Sequence, residues 1–376
     1  MTDVLVLGSG LIGTSVGLAL RQAAGYVVLL HDRDATTLDR AMERGAGAAW
    51  DGRQRVDLVV SAVPPAATAA SLQNAQRLGL AQTYTHVCSV QSQVQREVEA
   101  LGCDLASLVG GHPLAGKESS GPVAASADLF VGRPWALCPS AQSTPAALTA
   151  VRELALACGA VPLVVGALEH DKAVALLSHL PQVVSSALAA LLVHDHDAPP
   201  QGPSSADGAR TELSGAGLVD TTRLAAGDAA LWTQILTANA AQVAPAVRSL
   251  LALLQPLADD LEVLAGPAPG EARARALEGV SGMLVRGNRG RAVVPVKRGS
   301  RDAAFAEVAV EVDDRPGRLA ALLMAAGDAG VNVEDVHVDH VPGRPRGVIE
   351  LLVEAPHADA LRVALRAGGW AVQGSS

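Results

Sequence analysis

The sequence predicts an α/β protein in three parts: an N-terminal Rossmann-type doubly wound sheet, an all-helical middle, and a C-terminal ferredoxin-like module. Three observations carry that prediction. A strand-like run opens directly into "GSGLIG", Ala/Leu stretches of helical period take over near residue 166, and strand and helix patterns alternate again from residue 304. At 376 residues the chain is too long for one domain of about 150 residues, and the shifts divide it into 1–165, 166–290 and 304–372.

In the first part, Val4 to Leu7 reads as a strand, followed by a turn and a helix. Gly8, Ser9, Gly10, Leu11, Ile12 and Gly13 form G-x-G-x-x-G at that junction. The first glycine permits a tight turn, the second lets backbone approach a pyrophosphate, and the third lets helix pack on strand. Free N–H groups at the helix start attract phosphate. A second strand, "YVVLLHD", ends at Asp32, 19 residues after Gly13, where a carboxylate can bond a ribose 2′-hydroxyl and repel a 2′-phosphate. The cofactor predicted is therefore NAD, with the neighbouring Arg33 pulling in the direction of NADP.

The alternation continues through "VDLVVSAVPP", "YTHVCSV" and "LVGGHP", as in a parallel sheet whose ligands bind at the carboxyl ends of the strands. Ser89 and His112 follow two of these strand-like runs, so both are candidates to face a nicotinamide. His112 sits in "GGHPLAGKESSG", between a glycine pair and a proline that biases it to extended backbone. That much backbone control aims an imidazole at the cleft.

Composition excludes other classes. Hydrophobic residues make up 49% of the chain but aromatic residues only 2%, so stacking platforms for single-stranded nucleic acid are scarce. The net charge of −9, with no sustained Lys/Arg run, argues against DNA or an anionic membrane surface as partner. Cys88, Cys103, Cys138 and Cys158 contain no C-x-x-C pair and read as reduced thiols of a cytoplasmic protein. The N-terminus runs straight into the glycine motif, unlike a signal peptide. No apolar run approaches the ~18 residues that span a bilayer.

The middle part, including "HDKAVALLSHLPQVVSSALAALLVH" and the stretch from Leu231 to Ala265, has helical period. Residues 194–208 interrupt it as a Pro/Gly/Ser-rich loop; its two histidines and two aspartates are too short and flexible a tract to predict a metal site. Residues 268–300, rich in Arg and Gly, read as a solvated basic linker and not an RNA contact. Residues 304–372 then give strand, helix, strand, strand, helix, strand, the βαββαβ order.

Five segments in order, "VLGSGLIGTSVGLAL", "GGHPLAGKESSG", "HDKAVALLSHLPQ", "GLVDTTRLAAGDAALW" and "EVDDRPGRLAALLMAAGDAGVNVEDV", closely resemble the prephenate dehydrogenases of tyrosine biosynthesis, including relatives that use arogenate. The resemblance spans nearly the whole chain and is nearest to members with a C-terminal ACT domain. It implies NAD-dependent oxidative decarboxylation of prephenate to 4-hydroxyphenylpyruvate. His112 would accept a bond from the ring hydroxyl, Ser89 would bond hydroxyl and nicotinamide, and Arg223 would grip a substrate carboxylate. Asp220 would orient Arg223, and Glu118 would lie near the substrate entrance. His179 would point into the cleft.

The chain departs from the family at three places. Gln182 stands where many members carry a second histidine, and His86 and Gln91 flank "VCSV" where the family often has aspartate and lysine. Gln182 cannot titrate, and the lost lysine removes an anion contact, which leaves prephenate and arogenate both open as substrates.

The resemblance further implies that the helices intertwine in a homodimer. In the last domain, Pro316 and Gly317 would shape an effector loop with Asn332 across from it, and tyrosine would be the feedback effector. Two other readings compete. A β-hydroxyacid dehydrogenase would use a helical-domain lysine, and Lys172 is the candidate. A catalytically inactive amino-acid sensor would keep ACT and NAD without turnover.

Overall fold

The computed structural model describes residues 1–116, 119–192, 214–294, 305–340 and 346–373. The chain divides into two compact units, Met1–Ala252 and Leu253–Ser376.

The first unit is built on an eight-stranded sheet of order β3-β2-β1-β4-β5-β6-β7-β8. Its strands are β1 (Thr2–Leu7), β2 (Tyr26–His31), β3 (Ala48–Ala49), β4 (Leu58–Ser61), β5 (Thr83–His86), β6 (Leu108–Pro113), β7 (Pro134–Pro139) and β8 (Val161–Val164). Helices α1 (Leu11–Gln22), α2 (Ala35–Glu43), α3 (Pro65–Arg77), α4 (Ser92–Ala100) and α5 (Pro145–Ala157) connect them. Alternation along β1 feeds two cores. Val4 and Val6 pack with Val16, Leu20, Trp135 and Leu154 on one face, while Leu5 joins Val59, Leu72, Val94 and Val98 on the other. Burial on both faces explains why these strands read as continuous apolar runs.

One expectation is corrected here. The sheet is not wholly parallel, because β7 runs antiparallel to β6, with His112 opposite Ala136. The described residues between these strands supply only a 3-10 turn, Pro122–Ala124, where a parallel return needs a crossover, usually an α-helix. The connection instead docks beside the first helices. Arg44 Nη2 donates to Ala125 O at 2.7 Å and Ser126 N–H donates to Ser15 Oγ at 3.1 Å.

Helices follow: α6 (Ala167–Val174), a π-helical turn (Ala175–His179), α7 (Leu180–Ala190), α8 (Ala216–Thr222), a 3-10 turn (Arg223–Ala226), α9 (Ala229–Ala238) and α10 (Ala240–Ala265). The continuous stretch Ala167–Ala190 reaches 24 residues at a mean hydropathy of 1.5, the length and composition of a membrane span, against the sequence expectation. A count of unbroken apolar residues misses it because His170, Asp171, Lys172 and His179 interrupt the run. Three of those residues, His170, Asp171 and His179, are buried against the protein itself.

The second unit holds a further correction. Residues 270–292, within the predicted linker, form helix α11 (Gly270–Ala292). Its Glu, Ala, Arg and Leu residues are strong helix formers and outweigh the interspersed glycines. One glycine serves packing: a Cβ on Gly279 would strike the carboxylate of Asp260 in α10. Beyond it come β9 (Phe305–Asp313), α12 (Arg318–Asp328), β10 (Asp335–His340), β11 (Arg346–Glu354), α13 (Ala355–Ala367) and β12 (Ala371–Val372). The four strands form an antiparallel sheet of order β10-β11-β9-β12. Val308, Val310, Ile349 and Leu351 pack under Leu322, Leu361 and Leu365 as its core.

Candidate active site

The glycine loop fits a dinucleotide on three separate grounds. Gly8 has φ +97°, and a Cβ there would lie 2.6 Å from Ala62 O. A Cβ on Gly13 would strike Gly8 O, whereas one on Gly10 would meet nothing within 4 Å. The turn is thus closed from below and open above Gly10, the N-cap of α1, which leaves room for a pyrophosphate. Asp32 reaches the same loop: its Oδ2 accepts Ser9 N–H at 2.6 Å and its Oδ1 accepts Asp34 N–H at 2.9 Å. Ser9 Oγ is buried without a partner among the described residues. Leu11 and Ile12 are half-buried in the first turn of α1, and Arg33 is exposed beside Asp32.

At the far side of the sheet centre, four histidines converge. His112 is the penultimate residue of β6 and not beyond its end. Its Nδ1 lies 2.9 Å from His170 Nε2, and His170 Nδ1 lies 2.9 Å from Asp171 Oδ1. Asp171 also accepts the backbone N–H groups of Gln91 at 2.9 Å and Ser92 at 2.8 Å. These donors fix it as an acceptor-only carboxylate. Asn239, at the break between α9 and α10, donates to Asp171 O at 2.8 Å and lies 3.2 Å from His179 Nδ1. His179 meets Trp232 edge-on, with ring centroids 6.1 Å apart.

The glycine pair before His112 has a structural use. A Cβ on Gly111 would lie 2.8 Å from His86 O and 3.0 Å from Trp135 Nε1, and one on Gly110 would strike Gln91 Oε1 and sit 3.1 Å from His86 Nε2. The close approach is to β5 and its neighbours. Gln91, one of the departures, pins the same junction by donating to Cys88 O at 2.6 Å and Gly111 O at 3.1 Å. His86 is buried, and its Nδ1 accepts Cys88 N–H at 3.2 Å.

Burial first, and then the neighbouring His170 ring, push His112 down to about 3. Burial pushes His86 and His179 down to about 4. Burial alone would raise Asp171, yet bonds from the His170 ring and from Gln91 and Ser92 hold its carboxyl below the usual range. The rings of His86, His112 and His179 are thus held neutral near the fixed negative charge of Asp171. Among the described residues His112 Nε2 has no hydrogen-bond partner, which leaves that nitrogen for a ligand.

The other sequence-predicted residues fall into place unevenly. Ser89 is half-buried, three residues past the end of β5. Gln182 is buried on α7 with its amide 3.3 Å from Ser186 Oγ. Arg223 begins the 3-10 turn, which α7 secures through Ser185 Oγ, 3.0 Å from Ala225 N. Asp220 is exposed on α8, three residues before Arg223. Glu118 and the loop 194–208 lie outside the described residues. In the second unit Gly317 takes the left-handed conformation, φ +86°, right after Pro316 and before α12, and Asn332 donates to Glu334 Oε1. Sequence reasoning missed His170, Asp171 and Asn239 as site residues. The signal for two of them was an adjacent His-Asp pair inside an otherwise apolar helix.

A strand-borne histidine with its Nδ1 engaged, on the same sheet as an open glycine loop, fits a dinucleotide-dependent dehydrogenase with a helical second part. Comparison with known proteins narrows this class. Residues 16–164 match the family described as prephenate dehydrogenase, nucleotide-binding domain, and residues 167–263 match its dimerization domain. The chain is 39% identical over 373 residues to "Probable prephenate dehydrogenase NovF" of Streptomyces niveus, covering 98% of this chain and 99% of that one. The chain belongs to the prephenate dehydrogenase family. Its fold is shared with prephenate dehydrogenase from A. aeolicus, solved with hydroxyphenyl propionate and NAD+ (TM-score 0.66, 23% identity, 78% of this chain and 99% of that one). It is also shared with Synechocystis arogenate dehydrogenase (TM-score 0.61, 24% identity, 77% and 98%).

Proposed function

We propose that this protein catalyses the NAD-dependent oxidative decarboxylation of prephenate to 4-hydroxyphenylpyruvate. One observation carries the proposal: His112 stands on β6 with Nδ1 engaged and, among the described residues, Nε2 without a hydrogen-bond partner, in a chain that belongs to this family along its length. Asp32 and the open backbone at Gly10 would hold the dinucleotide, and the acid at the ribose position favours NAD over NADP. Bound there, NAD supplies the acceptor for the hydrogen and electron pair that leave the hydroxyl-bearing ring carbon.

The chain's own residues handle the rest. His112 Nε2 takes the hydroxyl proton, and Ser89 orients that hydroxyl. Arg223 supplies the cation that a dicarboxylate requires in a net-negative protein. Carbon dioxide leaves as the ring becomes aromatic, and the proton returns to the phenolate oxygen. Arogenate is the second reading, because Gln182 and Gln91 are neutral where a titrating or cationic side chain would favour one substrate side chain over the other.

The decisive experiment is NADH formation on adding prephenate or arogenate, with NAD or NADP as acceptor. Prephenate with NAD should give the highest kcat/KM. Absence of turnover on both substrates would leave the inactive sensor.

Three finer readings belong to the same proposal. The helical part forms a homodimer, which would bury the exposed Leu176 and Leu177; a stable monomer by light scattering would contradict it. The βαββαβ module is an ACT domain that binds tyrosine at the loop of Pro316 and Gly317, with Asn332 across from it. Truncation before residue 304 should abolish inhibition by tyrosine. The protein works in the cytoplasm, consistent with four cysteines that are all unpaired.

A further inference from the structure

We propose that His170, anchored by Asp171, is the positioning residue that fixes the tautomer of His112 and takes over, through it, the proton released by the substrate hydroxyl. The inference rests on the reading of His112 under the proposed function.

With both rings neutral, the hydrogen-bond chain leaves one consistent assignment of protons. Asp171 is an acceptor because it already receives the N–H groups of Gln91 and Ser92. The ring nitrogen facing it, His170 Nδ1, therefore carries hydrogen. A neutral imidazole has one donor and one acceptor, so in a neutral His170 ring Nε2 is a lone pair. His112 Nδ1, 2.9 Å away, must then donate, and His112 Nε2 is left as the acceptor for the substrate. The tautomer that the reaction needs is set two residues removed from the substrate, by a carboxylate on α6.

The same chain decides where positive charge rests. Every titratable group facing His112 has to be counted: His86 on β5, His179 on the π-helical turn, and His170 with Asp171 on α6. A cation held on His112 would sit among three other imidazoles in a buried site, and burial with these neighbours pushes it down to about 3. A cation on His170 would instead sit 2.9 Å from a carboxylate. When Nε2 of His112 takes the hydroxyl proton, its Nδ1 proton can pass to His170 Nε2. The oxygen–hydrogen bond of the substrate breaks, a nitrogen–hydrogen bond forms on each ring in turn, and no net proton is consumed. After carbon dioxide departs, the two transfers reverse and the phenolate is protonated.

Two measurements test this. In the substrate-free wild-type protein, nitrogen-15 NMR of the histidine rings should show Nδ1–H and unprotonated Nε2 on both His112 and His170; the opposite tautomer on either ring overturns the proposal. The variant His170→Gln keeps a carbonyl acceptor for His112 Nδ1–H but cannot take the proton. Its kcat at neutral pH should fall by about 10- to 100-fold, within the range for a lost acid–base group, with KM for prephenate changed by less than about twofold. The acidic limb of kcat against pH should move to lower pH, since only His112, held down to about 3, remains to be protonated. Unchanged kcat, or a lower kcat with the limb in place, overturns the proposal. Failure of the wild type to turn over prephenate would instead sink the functional reading, and the NMR result is independent of it.

Discussion

At the scale of single residues, identical side chains have different reasons. Gly8 and Gly13 are needed by the fold, because a Cβ at either would meet backbone that cannot move aside, while Gly10 faces open space. Gly13→Ala should destabilise the protein by about 1–3 kcal/mol, the usual cost of overpacking. Gly10→Ala should leave the thermal midpoint nearly unchanged but weaken NAD binding. Thermal unfolding and cofactor titration on the two variants separate these roles; equal loss of stability in both would refute the distinction. His112→Ala should retain the fold and lose about 100- to 10,000-fold in kcat, the span attributed to general acid–base groups. The G-x-G-x-x-G spacing and the Asp32 offset made the cofactor loop legible, because turn geometry and phosphate approach demand glycine at fixed positions. The relay from His112 to Asp171 was not legible, because 58 residues separate its two histidines.

At the scale of elements, breaks in the helices place the chemistry. The π-helical turn ends on His179, and the break between α9 and α10 presents Asn239 to both His179 and the carbonyl of Asp171. Such π-turns inside helices often mark functional positions. Asn239→Leu removes a buried donor from two acceptors and should cost about 1–3 kcal/mol, read as a lower midpoint in urea. At the start of α9, Asp228 accepts the N–H groups of Ala230 and Leu231 at 2.8 Å and 3.0 Å. Asp228→Ala should cost about 1 kcal/mol, without the change in His179 NMR signals that Asn239→Leu should produce. Periodicity announced these helices but not their interruptions. It also mistook α11 for a linker, since Arg and Gly content resembles a solvated connector until Gly279 is seen against Asp260.

For the molecule as a whole, the histidines with lowered pKa link stability to pH. In an unfolded chain a histidine titrates near pH 6.5, whereas folded His112 is held to about 3 and His86 and His179 to about 4. Between those values the unfolded chain binds protons that the folded one refuses. Stability therefore rises with pH across that window and is lost as pH falls from about 6.5 towards 4. Three such groups give a slope of up to about 4 kcal/mol per pH unit. Denaturant midpoints of the ligand-free protein at several pH values should show this fall, and His86→Gln should flatten it. A midpoint constant over that window would mean that the rings take up protons in the folded state.

The sequence by itself determined the elements and the cofactor loop, because period, turn chemistry and glycine sterics act over short stretches of chain. It also brought His112 to the end of a strand-like run, and the structure seats it as the penultimate residue of β6. Tertiary structure alone decided that β7 returns antiparallel, that Gly110 and Gly111 make room for Gln91, His86 and Trp135, and that Asp171 governs His112 through His170. Each of these is a meeting of side chains or strands distant in sequence, and only the packed fold fixes the few ångströms over which protons and hydrogen bonds act.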